Sequence, residues 1–290
     1  MHDTEEIKRA VRDRYAGHAT NATSCCGGSA GPAEAGCGCT PVQAPGTLPS
    51  ELLGYDAADL AEIPEGADLG LGCGNPLALL ELREGETVLD LGSGAGIDCF
   101  LAAKRVGPAG HVIGVDMTHE MLDRARRNAA DSGFDNVEFR LGEIEHLPVA
   151  DGSVDAVTSN CVVNLVPGKA AVFNEAFRVL RPGGRLSLSD IVLLGEVPPA
   201  LRDSVEAYVA CLSGAIMLDD YLRLLRQAGF ANVAVTSEQR FDAEDILAQD
   251  LIAEFAQHGG VSEEEVREAA TRFASVRVSA RKPSNTELTA

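Results

Sequence analysis

The sequence predicts an α/β fold, a parallel sheet covered by helices, and three observations carry that expectation. Short apolar segments of strand character alternate with amphipathic helical segments through the middle of the chain. A glycine-rich turn joins the first strand of this alternating region to its first helix, and an acidic residue closes the second strand.

Taken in order, Ile7, Val11 and Tyr15 have the i, i+4, i+8 spacing of a short amphipathic helix within residues 3–16, laid against a larger body. From Gly17 to about Ser50 the residues are small and turn-forming, and this stretch, expected to be a mobile arm, carries Cys25, Cys26, Cys37 and Cys39. Thr87-Val88-Leu89-Asp90-Leu91 reads as the first strand, Gly92-Ser93-Gly94-Ala95-Gly96 as the turn, and the run around Cys99 to Ala103 as the first covering helix. His111 to Asp116 is the second strand, with Thr118 opening the next helix; Val137 to Leu141 and Val154 to Ser159 are the third and fourth strands. An amphipathic helix over 168–180 stops at Arg181-Pro182-Gly183-Gly184, and Arg185 to Val192 resumes as a strand. Beyond about 196 the pattern turns helical, with a capping box at Ser262 and Glu265, and ends in the alternating strand around Val276-Arg277-Val278.

At 290 residues the chain suffices for one full α/β domain with appendages. The expected division is a helix and cysteine-bearing arm over 1–50, a ligand-binding core over 51–195 and a small α+β capping region over 196–290. The 24 basic residues against 44 acidic ones leave a formal charge of -20, which repels phosphate backbones and anionic lipid, so neither nucleic acid nor membrane is an expected partner. No basic segment leads into an apolar one at the N-terminus, and no run reaches the length of a spanning helix, so a cytoplasmic location is expected. Eight cysteines in that reducing setting read as thiols for catalysis or soft-ion binding rather than as disulfides.

A strand, a glycine turn and a helix together present backbone N–H groups to a ligand at the carboxyl end of a sheet. The dinucleotide pattern G-x-G-x-x-G would need glycine where Ile97 stands; the glycines fall instead at Gly92, Gly94 and Gly96, which disfavours a pyrophosphate cradle. Asp116 is placed to accept the hydroxyls of a ribose, and on its own would serve NAD or S-adenosylmethionine equally. The full series is more specific. Asp90 to Gly96, then Gly114-Val115-Asp116-Met117, then Gly142-Glu143-Ile144-Glu145, then Arg181-Pro182-Gly183-Gly184 resembles the ordered motifs of the class I methyltransferases, which have a Rossmann-like sheet. The resemblance implies S-adenosyl-L-methionine as cofactor, with Asp90, Gly92, Ser93, Gly94 and Gly96 along its methionine portion, Asp116 on the ribose with Met117 beside it, and Ile144 or Glu145 near the adenine.

The loop after the fourth strand, which faces the transferred methyl group in such enzymes, reads Ser159-Asn160-Cys161-Val162-Val163-Asn164-Leu165. An oxygen or nitrogen acceptor calls for a carboxylate, histidine or tyrosine to remove a proton, whereas a thiolate suits a soft, thiophilic ion. Cys73, in Gly70-Leu71-Gly72-Cys73-Gly74-Asn75-Pro76, and Cys211, in Ala210-Cys211-Leu212-Ser213-Gly214-Ala215, stand in turn-like surroundings able to close on it. At these three points the chain resembles the arsenite methyltransferases, over about residues 7 to 240. The resemblance implies that Cys73, Cys161 and Cys211 bind arsenic(III) and carry the catalysis. It also implies that one further N-terminal cysteine, among Cys25, Cys26, Cys37 and Cys39, serves the first methylation, and that a thiol reductant of the thioredoxin or glutathione type regenerates the trivalent state. Two other readings stand beside it: a methyltransferase with an organic acceptor, and a thiol protein that binds arsenic or a soft metal without turnover. Cys99, on the core-facing part of its helix, reads as a small buried hydrophobe, His146 as a surface or hydrogen-bonded residue, and the arm cysteines lack the pairs of a zinc module.

Overall fold

The computed structural model describes residues 4–21, 50–198, 214–240, 252, 256 and 262–288. The expected ligand Cys211 and the arm cysteines Cys25, Cys26, Cys37 and Cys39 lie outside the described residues, as does most of the segment expected to be an arm. Helix α1 (Thr4–Asn21) is followed by a short α2 (Ala57–Leu60). The core then runs β1 (Thr87–Leu91), α3 (Ile97–Val106), β2 (His111–Asp116), α4 (His119–Ser132), β3 (Val137–Leu141), β4 (Val154–Asn160), α5 (Lys169–Val179) and β5 (Leu180–Leu193). It ends with α6 (Leu218–Gln227), β6 (Ala231–Arg240), α7 (Glu263–Ala270), β7 (Phe273–Arg281) and the short α8 (Asn285–Leu288).

One seven-stranded sheet in the order β3-β2-β1-β4-β5-β7-β6 organises these elements. The first five strands pair in parallel, and β7 runs antiparallel to both β5 and β6. Alternation along each central strand feeds two cores, because successive side chains leave opposite faces of a sheet. Val88, Val112 and Ala156 pack against α3 and α4 through Phe100, Leu101 and Leu122. Leu89, Leu91, Ile113, Val115 and Val157 pack on the other face against Val172 and Phe173 of α5 and Tyr221 and Leu225 of α6. Both faces of the middle of the sheet are therefore covered, which is the condition for parallel strands.

Three elements differ from the sequence-based expectation. Helix α1 runs past Gly17 to Asn21, because tertiary contacts override the weak helix propensity of glycine: Ala19 is buried with Ala95 and Met121, and its carbonyl accepts a hydrogen bond from Arg124 at 3.1 Å. Strand β5 starts directly after α5, and the Arg181-Pro182-Gly183-Gly184 segment forms an irregularity inside it, between the pairs Val154↔Leu180 and Ala156↔Arg185. Strand β6 was not expected in a region read as helical; it is an edge strand, alternately half-buried and exposed, and draws its order from pairing with β7. The capping box at Ser262 and Glu265 is present, with Ser262 Oγ accepting the Glu265 N–H and the Glu265 carboxylate accepting the Ser262 N–H.

Leu89 is fully buried between β1 and the helices on its face. Leu89→Ala should lower unfolding free energy by about 2–5 kcal/mol, the range for large-to-small changes in a packed core. Urea denaturation should show this as a shift in midpoint with unchanged slope.

Candidate cofactor pocket and thiol site

The order of the strands reverses between β1 and β4, and a crevice opens there at their carboxyl ends. In β1 the chain turns through Gly92 and Gly94, both with positive φ (69° and 51°), before entering α3 at Gly96 with φ 101°. A Cβ on Gly92 would stand 2.5 Å from the Val162 methyl groups, so the close approach of this turn to the loop after β4 requires glycine. The crevice, with the solvent space at its open mouth, encloses about 990 Å³. Its walls come from both sequence motifs and from parts of the chain distant from them: α1 contributes Val11 and Tyr15, and the segment before β1 contributes Tyr55 and Asp68 to Gly72.

Of the residues expected to bind cofactor, Asp90, Gly92, Ser93, Gly94, Asp116, Met117, Ile144 and Glu145 line this crevice. Gly96 stands behind it, where a Cβ would meet the Phe100 ring at 2.7 Å. Asp116, at the end of β2, accepts the N–H groups of Gly94 (2.9 Å) and Thr118 (2.7 Å), which ties the glycine turn to the next strand and leaves the carboxylate facing the ligand space. Burial raises its pKa, opposed by those backbone donors. Ser93 lines the space, and its Oγ is buried with no hydrogen-bond partner among the described residues.

Sequence reasoning missed several contributors. Asp98, on the first turn of α3, is only 3% exposed and lines the crevice beside Asp90. Burial pushes the Asp98 carboxyl up to about 6, while the Tyr55 hydroxyl, donating at 2.8 Å, opposes the shift. The Asp90 carboxyl is raised as well, by burial and then by the Asp98 charge, and it accepts the Cys99 thiol at 3.3 Å. Cys99 thus points into the packed layer under the pocket, among Val88, Phe100 and Val112, as expected for a buried hydrophobe. Asp68, Asp90, Asp98, Asp116 and Glu145 all line the crevice, and no Lys, Arg or His does so among the described residues. Glu145 is paired with Lys8, but the four aspartates have no ion pair among the described residues, and such a lining fits a positively charged ligand. Lys8 of α1 bridges Glu143 (2.7 Å) and Glu145 (2.9 Å) across the rim, a contact with no local sequence signal because the partners are more than a hundred residues apart.

Two of the expected thiols share one buried apolar cluster, and one of them reaches the crevice. Cys161 lines the crevice next to Val162, with a backbone φ of 59° in the left-handed region, an unfavourable conformation for a residue other than glycine. Its N–H donates to the Ser189 carbonyl at 2.8 Å, which holds that conformation. Cys73 is buried in the same apolar cluster as Cys161, together with Leu165, Ile191 and Phe273, and its thiol lies 3.9 Å from Ser189 Oγ. Neither cysteine is disulfide-bonded. Among the described residues no three His, Cys, Asp or Glu side chains converge as a complete metal site. His146 sits after the adenine-side loop with its N–H donating to the Glu143 carbonyl, and does not line the crevice.

The fold and the crevice are those of a class I, S-adenosylmethionine-binding methyltransferase, and residues 82–229 match the family model described as a methyltransferase domain. The chain is 50% identical over 260 residues to an arsenite methyltransferase of Halobacterium salinarum, covering 87% of this chain and 66% of that protein. It is 40% identical over 168 residues to the human arsenite methyltransferase, covering 55% of this chain and 44% of that one. Among solved structures it is similar to the arsenic(III) S-adenosylmethionine methyltransferase CrArsM from Chlamydomonas reinhardtii, with a TM-score of 0.62 at 34% identity over 79% of this chain and 74% of that one. The chain belongs to the arsenite methyltransferase family. It spans less than two thirds of the length of the two curated relatives.

Two expectations follow. Gly92→Ala should weaken S-adenosylhomocysteine binding by at least about tenfold in calorimetry, through overlap with Val162 and strain at positive φ, and adding Val162→Ala should restore part of the loss. Burial raises both the Asp98 carboxyl, up to about 6, and the Asp90 carboxyl, so affinity for cationic S-adenosylmethionine should fall as pH is lowered from about 8 to 5 and these groups take up protons. An affinity that rises on acidification would contradict the assigned charge of the pocket.

Proposed function

We propose that this chain transfers methyl groups from S-adenosylmethionine to trivalent arsenic bound by cysteine thiolates, and so detoxifies arsenic by methylation. The single observation that supports this best is the packing of Cys73 and Cys161 in one buried cluster at the wall of a carboxylate-lined cofactor pocket. The family resemblance adds Cys211 as the third ligand.

Bound in the crevice, the cofactor supplies an electrophilic methyl group on a sulfonium. The protein residues do the rest. Asp90 and Asp98 offer negative charge beside the glycine turn, and Asp116 offers oxygens for ribose hydroxyls. Arsenite meets three thiols, and each As–S bond forms as an arsenic hydroxyl leaves with the thiol proton as water, so three waters are released and no net charge is created. Arsenic keeps its lone pair, which would accept the methyl group that the bound cofactor supplies. No general base is needed at that step, in keeping with a loop after β4 that presents Asn160 and Cys161 rather than an acid or histidine. The demand on the protein is alignment, which the close approach of Gly92 to Val162 and the fixed backbone of Cys161 serve.

The physiological setting is part of the same proposal. Thiols must stay reduced, which suits a cytoplasmic location and a thioredoxin- or glutathione-type reductant; no helix among the described residues is long and apolar enough to cross a membrane. The net charge of -20 argues against nucleic acid as a partner.

Cysteine replacements distinguish the roles. Cys161→Ser and Cys73→Ser exchange a soft ligand for a hydroxyl with little affinity for arsenic(III), so methylation of arsenite should fall by about a hundredfold or more while S-adenosylhomocysteine affinity stays within about threefold. Cys161→Ser should also lose activity on monomethylarsonous acid. Replacing Cys25, Cys26, Cys37 and Cys39 together by serine should slow methylation of arsenite much more than that of the monomethyl substrate, which needs two sulfurs rather than three. Chromatography with elemental mass detection of both products reads the difference. Full activity of Cys161→Ser on both substrates would refute the role given to that thiol.

A further inference from the structure

Asn160 ends β4 and immediately precedes Cys161, yet its side chain grips the opposite thiol turn. Its Oδ1 accepts the Cys73 N–H at 3.0 Å, and its Nδ2 donates to the Gly74 carbonyl at 2.7 Å. The carboxamide therefore brackets Cys73 on both sides. Gly72 permits the approach, since a Cβ there would stand 2.6 Å from Asn160 Nδ2. Ser275 of β7 secures the same turn from behind, donating to the Cys73 carbonyl at 2.6 Å. The other Nδ2 hydrogen is given to the Tyr55 hydroxyl at 2.8 Å, and Tyr55 in turn donates to Asp98 at 2.8 Å. This pattern fixes the amide orientation, because reversing it would set the Asn160 oxygen against the Gly74 carbonyl and the nitrogen against the Cys73 N–H.

One amide thus joins the residue next to Cys161, the turn that carries Cys73, and an acid in the cofactor pocket. Tyr55 and Asp98 are both nearly inaccessible, so the chain of hydrogen bonds runs through a poorly solvated region where each bond is strong and an unmade one is costly. A ligand ammonium group beside Asp98, which S-adenosylmethionine and S-adenosylhomocysteine both carry, favours the ionised carboxylate, the better acceptor for Tyr55, and the ordered Tyr55 oxygen then anchors Asn160.

We propose that Asn160 is a positioning residue that sets the relative placement of the Cys73 and Cys161 thiols, and that through Tyr55 and Asp98 it couples cofactor binding to capture of trivalent arsenic. The proposal rests on the reading of those two cysteines as arsenic ligands. Coupling of this kind is reciprocal: if the cofactor tightens arsenic binding, arsenic tightens cofactor binding by the same factor.

The test is equilibrium dialysis of sodium arsenite against the full chain carrying Cys25→Ser, Cys26→Ser, Cys37→Ser and Cys39→Ser, with and without saturating S-adenosylhomocysteine, so that no turnover intervenes. In this background the product should tighten arsenite binding by about fivefold or more, within the usual range of allosteric coupling. Tyr55→Phe should reduce that ratio to below about twofold, a readout that general loss of stability does not move. Asn160→Asp keeps the shape and the acceptor but loses both donors, and should weaken arsenite binding by about tenfold or more in both conditions. A ratio of one in the background, a retained ratio in Tyr55→Phe, or an Asn160→Asp protein that binds arsenite as tightly as the background would each overturn the proposal. Thermal unfolding checks that the variants are folded; if Asn160→Asp is not, Asn160→Ser takes its place with the same expected loss. Cys73→Ser separates the two levels: undiminished arsenite binding there shows that the ligand reading itself has failed, whatever Asn160 does.

Discussion

Parallel pairing of β1 with β4 is the constraint on which the rest of the molecule depends. The register that sets Leu91 beside Ser159, reinforced by the Ser159 hydroxyl donating to the Leu91 carbonyl, brings two strand ends into contact: one leading into the glycine turn, the other into the Asn160-Cys161 loop. The glycine turn and the Cys161 loop become neighbours through that pairing. A shift by one residue would turn Leu89 and Val157 out of their core, so the hydrophobic pattern that stabilises the sheet also fixes the geometry of the site.

The pocket is kept ready at a cost. Asp90 and Asp98 are buried side by side with no ion pair among the described residues, and Cys161 holds a backbone conformation that only glycine adopts freely. Such features weaken the empty fold and are retained where function needs them. The surrounding structure offsets them with ordinary means: the Gly94 and Thr118 N–H groups on Asp116, the Tyr55 hydroxyl on Asp98, and the Ser189 carbonyl on the Cys161 N–H.

Much of this was legible in the sequence, for reasons that differ by element. The central strands could be read because burial on both faces makes them continuous apolar runs, and the glycine turn because a tight strand-to-helix junction needs those φ values. Edge strand β6 escaped notice because its order comes from hydrogen bonds to β7, with little apolar pattern of its own. The ends of α1 and β5 were set by partners elsewhere in the chain, Arg124 for the former and Val154 of β4 for the latter. In the site, residues within motifs were readable, whereas Tyr55, Asp98 and Lys8 act through partners 43 or more residues away and carry no local signature. Asn160 stood in a motif, but only the fold shows that its amide serves Cys73.

Lys8 clasps α1 over the rim, with Val11 and Tyr15 forming part of the pocket wall, and Ser50 lies on the same wall. Part of the cofactor space is thus built by a helix remote in sequence from the sheet, held to it at one end by the ion pairs of Lys8 and at the other by the Arg124 hydrogen bond to the Ala19 carbonyl. Loosening either tie would alter the wall of the pocket without touching a single strand.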